Sequence, residues 1–95
     1  MRQQNKVPQR YRVYVVHGPS SEWGEGVGAL GYFKSRKEAE RCLAELKRRE
    51  KEEGKWSWRS VEECGHIQVW DARELGFDER QQTIDEFLDE MNSLV

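Results

Sequence analysis

Residues Val27-Gly28-Ala29-Leu30-Gly31-Tyr32-Phe33-Lys34-Ser35-Arg36-Lys37-Glu38 constrain the fold more than any other stretch of this chain. They read as a buried strand running straight into a helix. Ser35 is a good N-cap, and Glu38 three residues on completes a capping box that satisfies the first helical amides reciprocally. Ala39, Cys42, Leu43 and Leu46 follow at i, i+3, i+4 and i+7, one apolar stripe of an amphipathic helix. The helix is expected over Arg36–Glu53, with Gly54 as its stop. Beyond Leu46 the stretch Lys47-Arg48-Arg49-Glu50-Lys51-Glu52-Glu53 has no apolar side and should project into water, supported by pairs such as Glu45/Arg49 and Arg48/Glu52.

The other elements arrange themselves around this unit. Residues 1–9 read as a mobile tail and residues 10–95 as one domain. Tyr11 to His17 alternates as a first strand, with Tyr11, Val13, Val15 and His17 on one face and Arg12, Tyr14 and Val16 on the other. Gly18-Pro19-Ser20-Ser21 ends it and opens a long hairpin loop. Trp56 to Val61 alternates like a third strand, Glu62-Glu63-Cys64-Gly65 reads as a turn, and Ile67 to Trp70 as the antiparallel partner. Asp78 is the expected cap of a second helix whose apolar stripe is Ile84, Phe87, Leu88, Met91 and Leu94. The order ββαββα implies an α+β fold with a mostly antiparallel sheet. Its simplest form is a two-layer sandwich, with both amphipathic helices on one face and the other partly open.

Composition narrows the classes. Apolar and charged residues each make up 36% of the chain, so burial must be concentrated in few elements. Met1-Arg2-Gln3-Gln4-Asn5-Lys6 leads into no apolar signal-like run, and no stretch is apolar enough to span a bilayer. Cys42 and Cys64 make no disulfide framework, which points to a reducing cytoplasm. The net charge of −2 hides a division: residues 1–60 carry 14 Lys/Arg against 8 Asp/Glu, and residues 61–95 carry 2 against 10. Such a split suggests contact with a nucleic acid or a protein.

Motifs for chemistry fail on their own terms. Gly26-Val27-Gly28-Ala29-Leu30-Gly31 matches G-x-G-x-x-G, yet the capping box starts the helix four residues after the third glycine, and Glu22 and Glu25 would repel a phosphate. A glycine-rich strand in close packing is the preferred reading. Cys64-Gly65-His66 with a distant His17 lacks the paired spacing of a zinc site. Glu62 and Glu63 would raise, not lower, the pKa of a Cys64 nucleophile. No catalytic residue, metal site or cofactor is expected, and the chain reads as a non-enzyme.

Two features remain for recognition. Trp56 and Trp58 share a strand face, and with Trp70 they are expected to supply core. Trp23 lies in a polar loop beside Glu22 and Glu25, where it either folds back or anchors a partner. In the last helix Asp85/Asp89 and Glu86/Glu90 are like-charge i, i+4 pairs, with no Lys or Arg between residues 81 and 95. Asp89 and Glu90 also oppose the helix dipole. This acidic face is either plain solvated surface or a docking face for a basic partner.

Residues Tyr11-Arg12-Val13-Tyr14-Val15-Val16-His17-Gly18, then Gly31-Tyr32-Phe33-Lys34-Ser35 with Ala39, Cys42 and Leu43, resemble small strand–strand–helix–strand proteins of bacteria and phages. That resemblance covers residues 11 to about 70 and implies a fold without a shared activity. In size and acidic face the chain is similar to phage inhibitors of host defence complexes such as anti-CRISPR proteins. The leading expectation is therefore a protein-binding module, an inhibitor of a basic, nucleic-acid-handling complex, acting through Trp23, Glu22, Glu25, Asp85, Glu86, Asp89 and Glu90. The alternative is a nucleic-acid-binding accessory protein using Arg10, Arg12, Lys34, Arg36, Lys37 and Arg41.

Overall fold

The eight residues Arg12–Pro19 form β1, a strand whose apolar side chains face both ways. The computed structural model describes residues 7–19, 27–55 and 59–94. In it β1 pairs antiparallel with β2 (Val27–Phe33) on one side and with β3 (His66–Asp71) on the other, giving the order β2-β1-β3. Among the described residues three α-helices accompany the sheet: α1 (Arg36–Glu53), the short α2 (Val61–Cys64) and α3 (Ile84–Ser93). The fold is α+β, as the residue pattern implies.

Alternation along β1 divides the core in two. Val13 and Val15 join Val7, Tyr11, Ala72, Phe77, Phe87 and Leu88 in one cluster. Tyr14 and Val16 join Ala39, with Leu30, Phe33, Leu43 and Leu46, in another. Successive strand side chains point to opposite faces, so α1 covers one face of the sheet and α3 the other. Helices thus flank the sheet on both sides, where the sequence reading put both on one face with the other open. The reason is that β1 is apolar on both faces and each face needs cover.

A bulge tunes β2 to this arrangement. Val16 pairs with Gly31 but His17 pairs with Ala29, which leaves Leu30 as the extra residue. The phase shifts there: Ala29 and Tyr32 pack toward α3, while Leu30 and Phe33 pack toward α1. The glycines are closely packed, since a Cβ on Gly31 would meet the Phe33 ring at 2.8 Å and one on Gly18 would meet Leu30 at 2.6 Å.

Other boundaries differ from the sequence reading. The expected strand from Trp56 lies partly outside the described residues, and its end, Ser60-Val61, starts a helix instead. Ser60 accepts from Glu63 N–H while Glu63 accepts from Ser60 N–H, so a capping box converts the expected turn at 62–65 into α2. β3 takes β1 as its antiparallel partner among the described residues. The last helix is capped by Thr83 rather than Asp78, again through a box, with Glu86. Asp78 instead closes a turn, accepting from Arg80 N–H at 2.9 Å. Between β3 and that turn, residues Ala72–Leu75 form a 3-10 turn ended by Gly76, whose φ of 105° suits glycine. Val7 is buried and its carbonyl accepts from Arg12 Nη2 at 2.6 Å, so this part of the expected tail belongs to the packed fold.

Candidate functional site

The outer face of α3 gathers the acidic residues singled out by the sequence. Phe87 and Leu88 turn inward and are buried, which forces Asp85, Glu86, Asp89 and Glu90 outward, and all four are exposed. Their roles divide. Glu86 is committed to the fold, since its carboxylate accepts from Thr83 N–H at 2.9 Å. Asp85 takes Lys34 Nζ at 2.7 Å, an ion pair that reaches from the end of β2 and that composition between residues 81 and 95 could not reveal. That hydrogen bond holds the Lys34 ammonium above its usual pKa. Asp89 and Glu90 make no ion pair among the described residues. Leu94, 80% exposed, stands beyond them at the helix end.

Trp23, Glu22 and Glu25 lie outside the described residues. So do Trp56 and Trp58. Trp70 is described and overturns its expected place in the core: it is 38% exposed. It sits on β3, at the sheet's edge, where α3 does not reach. Its indole N–H donates to Gln68 Oε1 at 3.0 Å, and Gln68 Nε2 lies 3.1 Å from His66 Nε2. His66 Nδ1 is 2.9 Å from the Cys64 carbonyl, so the Nδ1–H tautomer lets every member of this ladder pair correctly. The ring of His17 stacks on His66 at 5.1 Å between centroids. Burial, and then the neighbouring His66, depress the pKa of His17.

The basic candidates come together more in space than in sequence, because the start of β1 lies beside the end of β2. Most of them are engaged. Arg10 and Arg36 lie over the rings of Tyr11 and Tyr14, at 4.8 and 5.1 Å. Arg12 holds Gln9 and the Val7 carbonyl, and Lys34 holds Asp85. Lys37 and Arg41 are exposed on α1.

Among the described residues no cluster of three or more His, Cys, Asp or Glu could hold a metal ion. Cys64 is buried and its thiol donates to the Ser60 carbonyl at 3.3 Å. No helix among the described residues is long and apolar enough to cross a membrane.

Sequence reasoning missed two further residues. The residue pattern puts Glu50 on a solvated helix end, yet it is buried, and both its oxygens accept from Val61 N–H at 3.1 and 3.0 Å. Asn92 bonds to both backbone groups of Tyr32. Neither has a local signal, because each pairs with a segment remote in sequence. No protein-family model matches the chain, and no curated protein or solved structure matches it either, so any assignment rests on its own geometry.

Proposed function

We propose that this chain is a non-enzymatic protein-binding module that docks the acidic outer face of α3 on a basic surface of a partner protein. One observation carries the reading: Asp89 and Glu90 are exposed and make no ion pair among the described residues, on a helix whose other two carboxylates already serve the fold. Both also stand near the C-terminus, where the dipole disfavours anions. Local physics alone would favour Lys or Arg at those positions, so a use outside the fold accounts for them. Leu94, exposed at the C-cap just past the last buried turn, offers an apolar contact beside that face. A partner that handles nucleic acid presents the basic surface such a face fits. An inhibitor of a host defence complex of that kind, in the manner of anti-CRISPR proteins, is the setting this reading favours.

The alternative, nucleic-acid binding by the basic residues, draws less support because Arg10, Arg12, Lys34 and Arg36 are already engaged within the fold. Matched baits separate the two readings. Wild type and the Asp89→Lys/Glu90→Lys variant are used to capture proteins from a nuclease-treated source lysate at low and high salt. The expected result is a protein held by wild type, released by salt and lost from the variant. With that protein purified, the variant should associate more slowly, since charge complementarity acts mainly on association rate. Equal capture by both baits, or binding lost only on Lys37→Glu/Arg41→Glu, would overturn the reading.

A further inference from the structure

The sheet's two outer edges are finished differently. On β2, Asn92 reaches across from α3: its Oδ1 accepts from Tyr32 N–H at 2.8 Å and its Nδ2 donates to Tyr32 C=O at 2.9 Å. One side-chain amide thus imitates a neighbouring strand and closes that edge at Tyr32. The same contact fixes the phase of the whole ladder. Tyr32 directs both main-chain groups away from β1, so Tyr32 and its partner Val15 form a non-hydrogen-bonded pair. Along a central strand these groups alternate sides, so Val15 bonds across to Gln68, its partner on β3. Gln68 therefore faces inward, and Ile67 and Val69 direct their N–H and C=O groups out of the sheet.

Exposed edges are normally guarded by Lys, Pro, bulges or a covering element. The strand His66-Ile67-Gln68-Val69-Trp70-Asp71 contains no Lys or Pro, and its register with β1 runs without a shift. Among the described residues no other strand pairs with it.

We propose that a second copy of this chain pairs with this edge, β3 against β3 and antiparallel, about a two-fold axis at Gln68. The edge is self-complementary in that register. Ile67 stands opposite Val69 of the second copy, so the outward-facing groups meet each other and each pair exchanges both main-chain bonds. An axis placed between two residues would set outward groups against inward ones. Side chains agree with the backbone. On the α1 face, β-branched Ile67 and Val69 pair across the axis and extend the half-buried apolar surface there. On the other face, Trp70 meets His66 of the second copy, with the two Gln68 side chains between them. Trp70 is already held in place through Gln68 and His66, so little side-chain freedom is lost on pairing. The interface is isologous and closes as a dimer. It lies apart from the acidic face of α3.

Gln68 supplies the test, because the axis brings it against itself. Sedimentation equilibrium is run from micromolar to millimolar protein on wild type, Gln68→Lys, Gln68→Glu and an equimolar mixture of the two variants. Wild type should self-associate as a dimer, each variant alone should be monomeric through like-charge contact at the axis, and the mixture should dimerise again. Recovery in the mixture also shows that both variants are folded. Wild type that stays monomeric throughout would overturn the proposal and leave the edge to a strand from another protein. A dimer that both variants preserve, or a mixture that stays monomeric, would overturn it equally.

Discussion

α1 runs for 18 residues and buries only Ala39 and Glu50, whereas α3 runs for 10 and buries Phe87 and Leu88. The longer helix is largely self-supporting: Arg48 bridges Glu45 and Glu52 on its own surface, and its charges are mixed. The shorter one has no such internal pairing. It depends on a capping box, on Lys34 from β2 and on the aromatic contact between Phe87 and Phe77 at 5.3 Å. The difference teaches where each helix's sequence is free. On α1 the surface composition serves the helix itself. On α3 the inward face serves the fold, which leaves the outer acids, Asp89 and Glu90, free to serve something else.

That contrast breaks first in the core. Phe87→Ala removes a buried ring from under the sheet and should cost about 3–5 kcal/mol, read from urea denaturation. Leu46→Ala on α1, where the side chain is only half-buried, should cost clearly less. Equal losses would mean that α1 carries as much of the core as α3 and would dissolve the comparison.

Glu50 is the exception on α1 and sharpens the rule. Glu50→Ala should cost about 1–3 kcal/mol, because the Val61 N–H loses its buried acceptor. Arg48→Ala, which removes only exposed ion pairs, should barely move the urea midpoint. If the two variants behaved alike, Glu50 would be one more surface carboxylate.

The caps come next. Thr83→Ala should destabilise by about 1 kcal/mol, since it breaks the box that starts α3. Ser35→Ala should cost less than Thr83→Ala, because α1 has other means of support. The reverse order would place the dependence on capping with the wrong helix.

How much of this was legible in the sequence follows from the range of each interaction. α1 is legible to its last residue, because its N-cap, stripe and Gly54 stop are local signals, although only the Ser35 half of the expected capping box forms. β1 is legible as a strand, and its apolar residues on both faces imply cover on both sides, which helix amphipathicity alone does not assign to opposite faces. α2 was missed although Ser60 and Glu63 carry the same spacing as a capping box, because the alternation of Trp56, Trp58 and Ser60 argued for a strand. Trp70 was misplaced for a different reason: alternation gives the face of a strand, not whether a helix covers that face. For the acidic face, the exposure of all four carboxylates was foreseen from the stripe. The partners of two of them, Lys34 and Thr83, divided the face into structural and free halves. Glu50 and Asn92 act on segments that no local pattern links to them.

The smallest effect tests the central claim most directly. If Asp89 and Glu90 do nothing for the fold, the Asp89→Lys/Glu90→Lys variant should be more stable than wild type. It would set Lys against Asp85 and Glu86 at i, i+4 and place cations near the C-terminus of α3. The account predicts a gain of about 0.3–1 kcal/mol in unfolding free energy at low salt, shrinking as salt is added. A loss of stability would contradict it, showing that these two carboxylates are held in place by the fold and leaving α3 without a face to spare for a partner.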